Sequence, residues 1–233
     1  MRAPGRTGAR PLVGRRVVLA AVALLWMPAM ALAAGPDERL RTAAAAGDTD
    51  ATATALAAGA AIDAADGTGR TALLLAVAGD RDATALLLVR SGADVNAQAA
   101  NRDTPWLLAG ARGRTAVLAA MLDAGRVDYT IRNRYGGNAL IPACERGHVE
   151  TVRLLLERSA IPVDHVNDLG WTALLEAVIL GDGGPRHVAI VDLLLRHGAS
   201  TAIGDRDGVR PLAHARTRGQ PEVVRLLEAA GAR

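Results

Sequence analysis

A spacing of 33 or 34 residues recurs along this chain and constrains its fold more than any other feature. One marker, a glycine–alanine pair or close variant, recurs at intervals of 33, 33, 34, 39 and 33 residues. A second marker recurs at intervals of 33, 34, 34 and 38 residues and begins at Thr71, Thr104, Asn138, Thr172 and Arg210. Both markers have the same period, and the interval between successive markers is longer across the same unit. The chain is therefore predicted to consist of stacked repeats.

Each unit is predicted to contain two helices joined by a glycine-containing turn. A threonine or asparagine caps the first helix, and an alanine or proline follows at its first position. The second helix carries an apolar run such as Leu86-Leu87-Leu88 or Leu193-Leu194-Leu195, and a left-handed glycine ends it. One such pair cannot bury its own apolar stripe, so neighbouring pairs must stack into a solenoid.

The units resemble ankyrin repeats, whose T-P-L-H-x-A…G…V-x-x-L-L-x-x-G-A pattern is similar to "DTPWLLAGARGRTAVLAAMLDAG" and "GNALIPACERGHVETVRLLLERSA". The resemblance covers about residues 36–233, as five recognisable units and a degenerate first one. It implies an all-α ankyrin-repeat solenoid of helix-turn-helix units with short finger turns. Within a domain of residues 34–233, the units are approximately 36–65, 66–98, 99–132, 133–166, 167–203 and 204–233.

Three departures from this pattern carry structural expectations. The histidine of T-P-L-H is replaced in each recognisable unit, so its usual polar links are expected to be absent and packing must substitute; the replacements are Leu74, Leu107, Ile141, Leu175 and Ala213. Pro142 lies about one turn into its helix, where a missing N–H predicts a local distortion. Trp106 stands in a leucine position and is expected to pack inward.

The N-terminal residues 1–33 have the pattern of a secretory signal peptide: five arginines, a short apolar run and the sequence Ala31-Leu32-Ala33. An uncleaved signal anchor is the alternative, and Arg15-Arg16 is compatible with twin-arginine export. Cleavage after Ala33 would leave 22 arginines against 24 acidic residues, a net charge of −2. A periplasmic or secreted protein is therefore expected, with no stable membrane insertion and no nucleic-acid partner.

No constellation of residues predicts catalysis, a metal or another cofactor. The five histidines fall mostly at equivalent edges of different repeats, and Asp205-Arg206-Asp207-Gly208 lacks the downstream glutamate of a calcium loop. Cys144 is the only cysteine, so it cannot form an intrachain disulfide, and its small-residue position predicts buried packing. We therefore expect a protein that is not an enzyme.

Residues 182–186 form a glycine-rich break between two helical patterns. A phosphate-binding loop would need a preceding strand and a following Lys-Ser/Thr, and neither is present. The break is interpreted as an insertion in the turn between two helices, either a tolerated longer loop or a dedicated partner contact.

Binding of another protein is the expected activity, through the finger turns and the concave face of the solenoid. Aromatic and arginine side chains are enriched among binding hot spots. The candidate partner-binding residues are Arg102, Tyr135, Asp168, Leu169, Trp171, Asp182, Arg186, Arg206 and Arg210.

The expected role is that of a monomeric interaction module or scaffold in the bacterial periplasm. The stretch "NDLGWTALLEAVILGDGG" is similar to exported bacterial ankyrin proteins, some of which are linked with peroxide defence. The alternative is a secreted effector or immunity protein that blocks a target protein.

Export makes a direct prediction about the N-terminus of the mature protein. N-terminal sequencing of the exported protein is expected to begin at Ala34 or a neighbouring small residue, because a signal peptidase cleaves after small residues. A protein recovered with Met1 intact would contradict cleavage.

Overall fold

Twelve α-helices in six consecutive pairs make up the part of the protein that the structure, a computed structural model, describes, residues 35–233; this part contains no β-strand. The helices are α1 (Pro36–Ala46), α2 (Thr49–Ala57), α3 (Ala72–Ala78), α4 (Asp82–Arg90), α5 (Pro105–Ala111), α6 (Thr115–Asp123), α7 (Leu140–Glu145), α8 (Val149–Arg158), α9 (Ala173–Ile179), α10 (Pro185–Arg196), α11 (Pro211–Thr217) and α12 (Pro221–Ala229). The predicted signal peptide lies outside the described residues.

The pairs stack in chain order. Each odd-numbered helix, the first of its pair, contacts the first helix of the next pair, and the even-numbered second helices form a parallel row of contacts. The buried leucines lie along both rows, with Leu140 and Leu174 on first helices and Leu155 and Leu194 on second helices. Burial of each leucine stabilises the fold by about 1.5–3 kcal/mol. The predicted all-α solenoid is confirmed.

Side-chain caps start most of the first helices, as the sequence predicts. The Thr104 hydroxyl accepts a hydrogen bond from the Leu107 N–H at 3.1 Å, and Thr71 and Thr172 make the equivalent bond. Arg210 makes no such bond, because it lacks a short side-chain oxygen. Its helix instead begins with Pro211, whose missing N–H needs no partner there.

Pro142 shortens its helix. The helices α3, α5 and α9 begin one residue after their threonine, whereas α7 begins two residues after Asn138. Pro142 occupies the position whose N–H would make the first bond back to the Asn138 carbonyl. The Asn138 side chain accepts from Leu140 and Ile141 instead, at 3.1 and 3.2 Å. The predicted distortion is confirmed and is confined to this first turn.

The two unusual core positions pack inward as predicted. Trp106 is buried and meets the Tyr129 ring edge-to-face, with the centroids 5.9 Å apart. Cys144 is fully buried, and burial raises the pKa of its thiol well above the usual value. Four of the residues that replace the pattern's histidine are also buried, while Ala213 is exposed.

Polar links between units are present, although the pattern's histidines are not. A residue at the start of a second helix bonds back to a carbonyl at the end of the first helix of the preceding unit. His187 Nε2 lies 3.0 Å from the Glu145 carbonyl oxygen, and Gln220 Nε2 donates to the Val178 carbonyl at 3.1 Å. These bonds satisfy carbonyls that a helix end leaves without partners. Packing is thus supplemented by hydrogen bonds from other positions.

Residues 182–186 are only partly a loop, which corrects the interpretation from sequence. The turn between α9 and α10 spans residues 180–184, and Pro185 and Arg186 form the first turn of α10. This helix has 12 residues, whereas α4, α6 and α12 have nine. Proline is well suited to the first position of a helix, so part of the insertion lengthens α10.

Gly110 on α5 gives a test of the close approach between first helices. Val77 and Val178 occupy the equivalent position in other units, but a Cβ on Gly110 would lie 2.7 Å from the Ala139 carbonyl oxygen. We expect Gly110→Val to lower the free energy of unfolding by about 1–3 kcal/mol through overpacking, measured by urea denaturation. An unchanged denaturation midpoint would contradict this packing.

Candidate binding surface

Five finger turns, residues 66–70, 99–103, 133–137, 167–171 and 205–209, precede the first helices α3, α5, α7, α9 and α11. In four of them the first side chain organises the turn. Asn167 Oδ1, for example, accepts hydrogen bonds from the N–H groups of Leu169 and Trp171, both at 3.0 Å. The side chains that the finger presents are therefore carried on a backbone fixed by its own hydrogen bonds.

Neighbouring fingers are also joined to one another. The Asp168 N–H donates to the Tyr135 carbonyl at 2.8 Å, and His165 Nε2 lies 2.6 Å from the Gly136 carbonyl oxygen. Arg206 donates from its guanidinium to the Asp168 carbonyl. The fingers at 133–137, 167–171 and 205–209 thus form one continuous edge.

Three predicted residues, Tyr135, Leu169 and Trp171, share this edge and are called the finger patch below. Tyr135 is 51% exposed and Leu169 is 47% exposed, and these are two of the four large apolar side chains exposed within residues 35–233. They occupy the same position in adjacent fingers, while Trp171 is half-buried beside them. The structure therefore places these aromatic and apolar residues on two fingers that are joined by a backbone hydrogen bond.

The predicted arginines have different environments. Arg102 is exposed at a finger position where the other four fingers have glycine, and its φ is +64°. A left-handed backbone costs a side-chain-bearing residue roughly 1–2 kcal/mol. Arg206 is bound to the neighbouring finger, as described, and Arg210 is exposed at the start of α11. Of these three, Arg206 is thus the one that orders the edge itself.

Asp182 and Arg186 do not join the finger patch. The helix α9, about 10 Å long, separates the finger end of its unit from the turn that contains Asp182. Asp182 Oδ1 accepts from the Gly184 N–H and lies 2.8 Å from His187 Nδ1, contacts that lower the pKa of Asp182. Arg186 is exposed on α10. Within this unit, the Asp182 contacts order the start of α10.

A concave groove adjoins the finger patch, and Tyr135 contributes to its lining. A concave binding face was expected from sequence, but none of the first-helix residues of this groove was predicted. The groove has a volume of about 430 Å³ between α5, α7 and the fingers at 99–103 and 133–137. Leu108, Ala111 and Pro142 line its apolar floor, and its polar rim contains Asp103, Arg112, Arg134, Glu145 and Arg146. First-helix positions facing a groove have no distinctive sequence signal, because the helix period alone does not show which side remains uncovered.

Glu176 is a buried carboxyl that the sequence analysis also missed. It is 5% exposed on α9 and accepts a hydrogen bond from Asn167 Nδ2 at 3.0 Å, so it supports the finger that carries Leu169 and Trp171. Burial, together with the neighbouring charge of Glu145, raises the pKa of Glu176 to about 7. In the next unit Asp205 and His214 are paired at the equivalent positions, 2.7 Å apart.

Within residues 35–233, no group of three or more histidine, cysteine, aspartate or glutamate residues could hold a metal ion. No helix in the same range is both long and apolar enough to cross a membrane.

Comparison with known proteins identifies the repeat. The model for "Ankyrin repeats (3 copies)" matches residues 87–183, and that for "Ankyrin repeat" matches residues 68–100 and 169–206. The ankyrin repeat protein YahD of Escherichia coli (strain K12) is 43% identical over 190 residues, which cover 82% of this chain and 94% of that protein.

Solved structures agree with these sequence matches. An ankyrin repeat domain from Acinetobacter baumannii AYE is 49% identical with a TM-score of 0.79, covering 83% of this chain and 98% of that one. The ankyrin repeat domain of Bcl-3, a member of the IκB protein family, is 31% identical with a TM-score of 0.72, covering 84% and 87%. The likeness extends over nearly the whole of each solved domain.

The raised pKa of Glu176 predicts a pH-dependent stability. Because the pKa in the folded protein, about 7, exceeds the ordinary value of 4.5, this carboxyl favours folding at low pH and loses that contribution as pH rises through 7. Glu176→Gln stays neutral and can still accept the Asn167 bond. We expect it to raise the free energy of unfolding by on the order of 2 kcal/mol at pH 8 and little at pH 4.5.

The measurement is urea denaturation at both pH values. Glu157→Gln, which removes an exposed carboxylate from α8, is the matched control and should show no such dependence. An equal effect of Glu176→Gln at the two pH values would contradict the assignment.

Proposed function

This chain belongs to the ankyrin-repeat family, and we propose that it binds a partner protein through the finger patch and the adjoining concave face. Ankyrin repeats are protein-interaction modules, which sets the class of function. The main support for this binding surface is that Tyr135, Leu169 and Trp171 lie on consecutive fingers that are joined by hydrogen bonds.

The physical basis is the energy of desolvating rigid apolar side chains. Tyr135 and Leu169 each leave about half of their surface in water, whereas Leu140 and Leu174 of the same units are buried. Their backbone is already held by the Asn133 and Asn167 side chains. A partner would therefore bury apolar surface without first ordering the fingers, and a preordered surface has a smaller entropic cost of binding.

The proposed location of this binding is the bacterial periplasm. The proposal rests on the signal-like N-terminal sequence of residues 1–33. A scaffold in peroxide defence and a secreted effector or immunity protein that blocks its target are the two roles expected from sequence. The identity of the captured partner distinguishes them, since the second requires a toxin or a host protein as the target.

Binding, not catalysis, is the activity proposed for this surface. An active site requires a nucleophile, a base and a stabilising group that converge on one reacting atom. Cys144 is fully buried, and Glu176 and Asn167 bond to each other beneath a finger. These groups support packing and finger geometry, which are the requirements of an interaction module.

The finger patch makes a specific prediction for partner capture. We expect the double substitution Leu169→Ala and Trp171→Ala to weaken binding of the captured partner by about tenfold or more, since truncation of central apolar anchors typically costs about 2 kcal/mol or more. The measurement is a pull-down from periplasmic extract with the full chain, followed by titration of the identified partner.

Leu180→Ala is the matched control. Leu180 is also 47% exposed, but it lies at the opposite end of α9 from the finger. Its truncation is expected to leave binding within about twofold of the unchanged protein, as is usual for residues outside the hot spot. A partner that binds the double variant as tightly as the unchanged protein would show that the finger patch is not the binding surface.

A further inference from the structure

The concave groove combines an apolar floor with arginines held by uncharged groups. Arg146 Nη1 donates to the Ala111 carbonyl at 2.7 Å, which extends this side chain from α7 toward α5. The Arg134 guanidinium carbon lies 4.7 Å from the centre of the Tyr135 ring. Both arginines line the groove, one at its helical side and one at its finger side.

These two arginines differ from Arg112 in having no direct ion pair within the described part of the chain. Among residues 35–233, neither Arg134 nor Arg146 lies within ion-pair distance of an aspartate or glutamate. Arg112 differs, because its Nη1 lies 3.2 Å from Asp80 Oδ1. Contacts with a carbonyl and a ring position the two guanidiniums while leaving their positive charge available.

The two carboxylates of the rim form no ion pair with either arginine, although the charge of Asp103 acts on Arg134 at longer range. Asp103 Oδ2 accepts a hydrogen bond from Asn101 Nδ2 at 2.8 Å within its own finger. The charge of Glu145 contributes to the raised pKa of Glu176 on α9. Among the rim cations, Arg134 and Arg146 are therefore the two that have no direct ion pair within residues 35–233, so their guanidiniums are open to a carboxylate from a partner.

We propose that the concave groove binds a segment of the partner protein in which an apolar side chain stands beside an aspartate or glutamate. The apolar side chain rests on Leu108, Ala111 and Pro142, and the carboxylate accepts hydrogen bonds from Arg134 and Arg146. Charge-assisted hydrogen bonds from arginine to a carboxylate are short and geometrically specific. They would therefore fix the position of the segment and select segments that contain an acidic residue. This inference rests on the proposed function, since it specifies the partner's chemistry at the same surface.

The probe is a library of random twelve-residue peptides displayed on phage and selected against the full chain. Enriched sequences are expected to share an acidic residue one or two positions from a leucine, isoleucine, methionine or aromatic residue. A fluorescein-labelled copy of an enriched peptide is then titrated by fluorescence anisotropy. We expect Arg146→Glu and, independently, Arg134→Glu to lower its affinity by about tenfold or more, as loss of a charge-assisted bond predicts.

Two controls separate charge recognition from loss of structure. Arg90→Glu reverses an exposed arginine on α4, a second helix, and is expected to leave the affinity unchanged. A peptide whose acidic residue is replaced by lysine should bind Arg146→Glu more tightly than it binds the unchanged protein. Such a reciprocal rescue cannot arise from unfolding, which would lower the affinity for both peptides.

The outcomes distinguish this inference from the proposed function. A selection that enriches no sequence, enriches basic peptides, or yields peptides insensitive to both arginine substitutions would overturn the groove assignment. If those peptides instead lose affinity with Leu169→Ala, the finger patch stands and the groove proposal fails. If peptides need Arg146 but the captured partner is insensitive to the finger substitutions, the groove proposal stands and the finger-patch proposal fails.

Discussion

The burial of each helix pair against its two neighbours is the interaction on which this structure depends. A pair of helices six to twelve residues long cannot enclose an apolar core, and the leucines of α7 and α9 are covered by the adjacent first helices. Interior residues such as Leu140 and Leu174 therefore belong to interfaces between units as much as to their own unit. This arrangement leaves one row of first helices and fingers available to other molecules.

Hydrogen bonds also make each unit depend on its neighbours. Carbonyls at the end of one first helix are satisfied by His187 or Gln220 from the next unit, and the fingers are joined through their backbones. The finger patch consequently has a fixed backbone before any partner arrives. Exposed apolar side chains on such a backbone can bind a partner at a low entropic cost. The stacking of the units therefore contributes to recognition by fixing the fingers.

Much of the fold could be predicted from the sequence, because a repeated period records local structure six times. Caps at Thr104 and Thr172, the inward packing of Trp106 and the shortened start of α7 all follow from a residue and its nearest neighbours in the chain. The contacts of Asp182 with His187 could not be anticipated in the same way, since the pairing depends on whether the insertion forms loop or helix.

The groove and Glu176 required the three-dimensional structure for a different reason. Arg134 and Arg146 meet the groove from different elements, and the burial of Glu176 depends on units before and after its own. The finger residues were easier to select, because finger turns project from the stack wherever they occur. The sequence thus indicates that the finger edge of the solenoid is exposed, whereas tertiary packing determines which ionisable side chains remain charged.

Native-state hydrogen exchange of the full chain with Leu140→Ala tests the coupling between neighbouring units most directly. Leu140 is fully buried on α7. If neighbours provide one another's core, amide protection should fall in α5 and α9 together with α7, and less in the more distant α1. Loss of protection confined to α7 and α8, with α5 and α9 unchanged, would show that the units are independently stable and would contradict the account.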